Sequence, residues 1–307
     1  MKRLSPSTLA HILLLAVVFI WGATFPLVKD ALGDISPLLF NLIRMSLAFL
    51  ALVIINHRHL RSVNRQSILY GLIVGLFLAT GYQFQTAGLA RTTAVKSAFI
   101  TGLVVVFVPL LTAIPIIRPA GTRSPGWNAA LGALLAFTGL LLLTTPAGTR
   151  FNELFSTISL GDLFTLACAI AFAGHLLSLA HTSTRVPIPQ LATLQIGTAA
   201  LVMAITLPLG GPVHITLTPR LIVALAVTSL LATAAAFTIQ SWAQQHLPPT
   251  HTAILLTLEP VFAWIISLLF LHEHLSSRSL LGASLILSGI ACSELLTPAA
   301  PVPAHPS

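Results

Sequence analysis

An all-α integral membrane protein of about ten transmembrane helices, arranged as two inverted five-helix repeats, is the fold that the sequence predicts. Three observations carry it. Only 7% of the 307 residues are charged while 56% are hydrophobic, against roughly 25% charged in soluble domains. A soluble chain this long could not clothe its surface with so few charges, whereas side chains that face hydrocarbon need none; the mean hydropathy of +0.95 agrees. Ten apolar runs each approach the roughly 20 residues that cross a bilayer core. Finally, the text GALLAFTG between Gly132 and Gly139 in the fifth run returns as GASLILSG between Gly282 and Gly289 in the tenth, at an offset of 150.

In order along the chain, the predicted spans are 9–29, 36–55, 67–88, 93–117, 126–145, 160–182, 189–210, 219–244, 251–271 and 278–296. The first follows Met1-Lys2-Arg3 and resembles a signal peptide over Ile12 to Ile20, but nine similar runs after it mark it as a retained helix. The third carries Gly71 and Gly75, a GxxxG pair that allows close helix approach within the bundle or between two copies. Further matches tie the halves together. Leu78-Ala79-Thr80 with Phe84 answers Leu231-Ala232-Thr233 with Phe237 at an offset of 153, and Val106-Phe107 answers Val261-Phe262 at 155. Five spans per half is an odd number, so the second half enters the membrane from the opposite side. The halves fall at 1–148 and 149–297, with a Pro- and Ala-rich tail at 298–307 expected to be disordered. Inverted repeats are the design of many secondary transporters, whose substrate sites lie near the midplane between the halves.

The net charge of +8 raises nucleic-acid binding, but the basic residues stand singly between apolar runs and form no face. They orient the chain instead. With a cytoplasmic N-terminus, the inner side holds eight (Lys2, Arg3, Arg58, Arg61, Arg65, Arg118, Arg123, Arg185) and the outer side six (Lys29, Arg91, Lys96, Arg150, Arg220, Arg278). An even number of spans places both termini in the cytoplasm. Cys168 and Cys292 sit in apolar runs as small buried hydrophobes, with no CxxC pair. His272-Glu273-His274 has the alternation of a poor chelate and reads as a solvated loop rather than a metal site. No P-loop occurs, which argues against ATP coupling within this chain.

Several motifs together resemble the drug/metabolite transporter superfamily in its EamA-type ten-helix branch. They are WGATF from Trp21 to Phe25, Arg44, the run Lys96 to Leu103, Gly161-Asp162-Leu163, the run Leu258 to Ala263 (LEPVFA), Glu273, and Gly282 to Gly289. The resemblance covers about residues 9 to 296. It implies cofactor-free transport of small metabolites or drugs, often export, by alternating access around a central cavity in the plasma membrane (the bacterial inner membrane). Three positions depart from the pattern: Phe172 where the sixth span often has Trp, His272 where Gly commonly precedes the Glu, and His175 at a position often apolar or aromatic.

Glu259 lies about eight residues into the ninth span, roughly 12 Å deep. A carboxylate there is costly unless protonated, paired or facing water. It is either a coupling site for protons or cations, or a structural partner beside Pro260, whose missing N–H frees a backbone carbonyl. Arg44 pairs with Asn41 at i, i+3; it could hold an anionic substrate, but reads as a structural tie to Glu259 or to helix-end carbonyls. Trp21, with Thr24 one turn on, either stacks on a substrate or packs between helices. Polar stripes avoid lipid and point inward: Tyr82 and Gln85 on the third span, Ser97 and Thr101 on the fourth, and Thr233, Phe237, Gln240 and Gln244 on the eighth. Three stripes on different spans favour one polar cavity. His175 could titrate near neutral pH or be a satisfied packing residue, and Lys96 snorkels to the interface. Gly132, Gly139, Gly282 and Gly289 read as packing positions.

These residues suit a carrier of small polar or amphipathic solutes. A lipid-modifying enzyme would cluster acids, His or Ser at one interface, and a channel would show a series of pore residues; neither pattern is present. The partners expected are a small-molecule substrate, the bilayer and protons, with the chain a monomer or homodimer.

Overall fold

The computed structural model describes residues 5–114, 126–144, 158–247 and 255–295. The C-terminal tail lies outside this range, as do Lys2, Arg3, Arg118, Arg123 and Arg150, on which the orientation partly rests. Among the described residues, helices appear in all ten predicted spans. The first three are single helices, Pro6–Ala31, Pro37–Leu60 and Arg65–Leu89; the fifth, sixth, seventh and tenth are Trp127–Thr144, Leu160–Thr182, Ile188–Thr206 and Ser277–Leu295. Among the described residues, seven helical stretches are long and apolar enough to cross a membrane, and shorter apolar helices lie in the fifth, ninth and tenth spans.

Helix starts follow local chemistry. Ser5 Oγ accepts the Thr8 N–H ahead of Pro6, Asn64 Oδ1 accepts the Ser67 N–H, and Ser159 and Asp162 form a reciprocal capping box at the sixth span. Each satisfies donors that a helix start leaves bare, which matters more at a bilayer surface than in water.

Among the described residues, three spans are broken. The fourth consists of Ala94–Gly102 and Val104–Thr112, parted at Leu103. The ninth runs as Glu259–Phe270 after a turn at Thr257 and Leu258. The eighth is α-helical over Pro219–Ala226 and Ala236–Ala243 and π-helical between, over Val227–Ala235. The return from i−5 to i−4 bonding passes over a carbonyl; Ala232 O is taken by side chains instead, as described below.

The helices pack reciprocally. The tenth lies along the fifth, the second along the seventh, and the ninth crosses the fourth; the third packs on the sixth and seventh while the eighth packs on the first and second. At the fifth–tenth crossing, a Cβ on Gly139 would stand 2.5 Å from Gly282 O, and one on Gly289 2.5 Å from Gly132 O. Only glycine permits backbones this close. Gly71 and Gly75 face Leu194, Gln195 and Thr198 of the seventh span, so the GxxxG pair packs within the bundle. Side chains add polar ties: Ser67 Oγ donates to Gln190 Oε1 at 2.7 Å, Asn56 Nδ2 to Thr193 Oγ1 at 3.1 Å, and Thr86 Oγ1 to Asn41 Oδ1 at 2.8 Å.

Candidate functional site

A cavity sits at the centre of the bundle, lined from the first, second, third, fourth, sixth, eighth and ninth spans. The breaks of the fourth and ninth spans meet there: Gly102 faces the Pro260 ring, with a Cβ position 3.4 Å from Cγ. Interrupted helices at corresponding places in two inverted halves are a recurring way to bring backbone groups to a midplane site.

Of the residues singled out in the sequence, Trp21, Thr24, Tyr82, Gln85, Thr101, His175, Phe237, Gln240 and Glu259 line this cavity. Ser97 does not. Its hydroxyl lies 3.5 Å from Thr165 Oγ1, and Thr101 Oγ1 lies 3.9 Å from Cys168 Sγ, so this stripe runs down the sixth span and only its deeper end reaches the cavity. On the eighth span, Thr233 turns to Arg44 and Gln244 stays outside the lining. Gln83, on another face of the third span, bonds Thr206 of the seventh.

Arg44 lines the cavity as well, and it is tied. Its Nε donates to Thr233 Oγ1 at 2.8 Å and its Nη2 to Tyr82 Oη at 3.0 Å and Ala232 O at 3.4 Å. The guanidinium carbon stands 4.2 Å from the Tyr82 ring centroid. The tie is thus to a π-helix carbonyl, a hydroxyl and a phenol rather than to Glu259. Trp21 Nε1 donates to the same Ala232 O at 2.9 Å. The carbonyl that the π-helix frees therefore joins the first and second spans to the eighth.

The walls are aromatic. Trp21 and Phe237 have centroids 5.4 Å apart, Tyr82 and Phe172 5.2 Å, and Tyr82 and Phe237 6.1 Å. His175 meets Phe237 edge-on at 5.6 Å, and its Nε2 is 3.0 Å from Gln195 Oε1. Glu259 is half-buried at the N-terminus of its helix. Its carboxylate has no hydrogen bond or ion pair among the described residues.

Three lining residues, Phe25, Val28 and Leu89, belong to an apolar plug that also includes Ala98, Leu225 and Ala263. Polar ties surround this plug. Asp34 accepts from Arg220 Nε at 2.5 Å and Nη2 at 2.7 Å, and from the Thr218 hydroxyl at 2.5 Å. These bonds hold the Asp34 carboxyl down at about 2, against an ordinary 3.8. A short antiparallel bridge between Ile35 and Ile215 continues the link. Lys29 Nζ donates to Leu89 O at 2.8 Å. Glu273 accepts the Ala94 and Val95 N–H groups at 3.1 and 3.0 Å, capping the fourth span where a negative charge suits the helix dipole. His272 and His274 beside it are exposed, as a solvated loop predicts, but Glu273 is a cap.

The sequence reading passed over Val104, Phe172, Thr86 and Leu256 as lining residues, and the Asp34–Arg220 link. The repeat carries one of the signals, since Phe172 answers Trp21 at an offset of 151, and helical spacing carries another, since Thr86 continues the Tyr82 stripe by one turn.

A family model described as the EamA-like transporter family matches residues 8–145 and again 159–294. An uncharacterized transporter of Archaeoglobus fulgidus is 31% identical over 274 residues, 89% of this chain and 82% of the relative. The uncharacterized transporter YoaV of Bacillus subtilis is 22% identical, covering 90% and 94% of the two chains, and a chloroplastic WAT1-related protein of Arabidopsis thaliana is 29% identical, covering 90% and 67%. A solved crystal structure superposes with a TM-score of 0.67 at 18% identity over 94% of this chain and 97% of that one; at that identity the likeness shows the fold.

Proposed function

This chain belongs to the EamA-like transporter family, a multi-pass membrane transporter of the drug/metabolite kind, and from that premise we propose that it is a secondary carrier exporting small metabolites or drugs by alternating access around the central cavity. The observation that carries the reading is the meeting of two interrupted spans, at Leu103 and at Thr257–Leu258, beside Glu259 in a cavity walled by both halves. The halves, 1–148 and 149–297, act as inverted repeats that rock against one another. Such a motion turns one opening into the other without moving the site.

The Asp34–Arg220 link joins the loop after the first span to the start of the eighth, so it parts when that end opens. Glu259 is the coupling residue, a carboxylate exchanging a proton or a cation as the cavity changes side. The protein sits in the plasma membrane (the bacterial inner membrane) with both termini cytoplasmic, as the distribution of Lys and Arg favours. No enzymatic role is assigned to it.

The test is counterflow in proteoliposomes. Labelled amino acids, nucleosides and organic cations are offered to wild-type protein and to Glu259→Gln, with and without a pH gradient. Saturable uptake that loses its pH response in the variant supports a coupled carrier. Uptake that rises linearly with concentration argues for a channel, and an equal pH response in the variant removes Glu259 from coupling.

A further inference from the structure

We infer that the seam between the third and sixth spans binds an anionic membrane phospholipid, with the headgroup at its Arg65 and Arg185 end and an acyl chain laid in the groove beyond. The groove lies outside the central cavity. Ile73, Phe77 and Thr80 of the third span line it against Ala167, Ile170 and Ala171 of the sixth. Ile73, Phe77 and Ile170 are exposed, as a wall that faces hydrocarbon allows. Small residues open the groove: Ala167 and Ala171 leave the sixth span without bulk where the third presents Ile73 and Phe77. Gly174 lets the Phe77 ring lie on the sixth span, since a Cβ there would stand 2.5 Å from Phe77 Cε1.

At one end of the same seam, polar groups converge. Gln66 and Tyr70 begin the stripe that continues as Ile73, Phe77 and Thr80, at alternating steps of four and three residues, so all five share a helix face. Gln66 Nε2 donates to Tyr70 Oη at 3.4 Å. The Tyr70 ring meets His181 of the sixth span edge-on, with centroids 6.3 Å apart. His181 Nε2 accepts from Arg185 Nη1, and Arg185 also interacts with the Tyr70 hydroxyl. Arg65 opens the third span next to Gln66. Arg65, Gln66, His181 and Arg185 are all exposed.

Charge names the occupant. Neither Arg65 nor Arg185 has an ion pair among the described residues. The described carboxylates stand elsewhere: Glu259 lines the cavity, and Asp34, Asp162 and Glu273 act at the opposite end of the bundle. A guanidinium fork matches a phosphate diester, and basic pockets between spans at the membrane surface hold anionic headgroups. Length agrees as well. From Tyr70 to Thr80 the third span rises about 15 Å at roughly 1.5 Å per residue, half of a hydrocarbon core about 30 Å thick. An acyl chain that starts at the headgroup site therefore ends with the groove, near the midplane. A soluble anion would use the arginines and leave the groove bare. A second copy packed here about a two-fold axis along the membrane normal would set Arg65 and Arg185 against their own counterparts, like charges together.

The full-length protein in detergent micelles is titrated with palmitoyl-oleoyl phosphatidylglycerol and with the phosphatidylcholine of the same chains, and bound lipids are counted by native mass spectrometry. One phosphatidylglycerol is expected to bind at least about fivefold tighter than phosphatidylcholine. Arg65→Gln and Arg185→Gln each weaken phosphatidylglycerol about fivefold and leave phosphatidylcholine unchanged. Arg58→Gln, at an exposed position on the second span, which packs along the seventh, changes neither. Ala167→Phe fills the groove and weakens both lipids alike. Equal affinity for the two lipids overturns the inference. So does a loss in Arg58→Gln equal to that in Arg185→Gln, which marks a diffuse attraction to the whole basic end. An Ala167→Phe protein that unfolds at the wild-type temperature and binds both lipids unchanged overturns it too, as does a wild-type dimer that Ala167→Phe splits, which gives the seam to a second copy. The arginine variants, on exposed side chains, decide the question by themselves where Ala167→Phe does not fold.

Discussion

Replacing Gly282 with alanine tests how tightly the two halves are joined at the fifth–tenth crossing. A Cβ at 282 would stand 2.6 Å from Gly139 O, 2.7 Å from Leu143 N and 3.1 Å from Leu142 C. All three are backbone atoms of the neighbouring helix, so no change of rotamer clears them. The spans must part by roughly 0.5–1 Å to reach ordinary contact near 3.5 Å. Overpacking of this kind costs about 1–3 kcal/mol, and exchanging glycine for alanine inside a helix returns about 0.5–1 kcal/mol. The midpoints of these ranges leave a net loss of about 1 kcal/mol, roughly a 5-fold fall in the ratio of folded to unfolded protein. Reversible unfolding in mixed micelles measures it. Gly33→Ala is the control, since a Cβ there meets Arg220 Nη2 and Asp30 O at 3.5 Å, an ordinary contact. Gly139→Ala acts on the same crossing, so one separation relieves both clashes and the double variant loses less than the sum of the singles. A Gly282→Ala protein as stable as Gly33→Ala would refute the packing argument.

Thr233→Val removes the acceptor of Arg44 Nε, leaves a buried charged donor unpaired, and lowers stability in mixed micelles by about 1.5–3 kcal/mol. His272 holds a φ of 54°, a left-handed conformation that costs an L side chain roughly 1–2 kcal/mol. His272→Gly therefore raises stability by about 0.5–1 kcal/mol after the entropy of glycine is charged against it, read as a higher unfolding midpoint. The Asp34 carboxyl is depressed to about 2 from 3.8, so its bond to Arg220 contributes fully above about pH 4 and is lost as the pH falls through about 2. In pH-dependent unfolding, Asp34→Asn is accordingly less stable than wild type at neutral pH, and the two converge near pH 2; a constant gap would contradict the assignment.

The ten spans were legible because lipid enforces a minimum apolar length, and the glycine-framed repeat was legible because two helices meeting at backbone distance admit no other residue. Most of the cavity lining was legible for a related reason, since polar side chains at helical spacing must turn from lipid. What stayed hidden depends on where helices break. The π-helix of the eighth span frees Ala232 O, and that carbonyl draws Trp21 and Arg44 to one place; nothing in the apolar text around Ala232 announces it. Arg44 reads from the sequence as a structural tie, and it is both a tie and part of the wall. Ser97 shares a helical face with Thr101, but that face follows the sixth span, so position along the span decided which of the two reached the cavity. Glu273 and Asp34 act across loops far apart in sequence, capping the fourth span and bridging to Arg220, contacts that periodicity within one helix does not encode.

The measurement that tests alternating access most directly locks one end of the cavity. In a protein with Cys168→Ala and Cys292→Ala, the pair Asp34→Cys and Arg220→Cys is joined by a short bifunctional thiol reagent, and flux is measured in proteoliposomes before and after a cleavable link is reduced. The account predicts that the joined protein loses flux, still binds substrate, and regains transport on reduction. Flux in the joined protein equal to that of the reduced protein would contradict it, because a carrier that opens alternately at each end cannot cycle with one end tied.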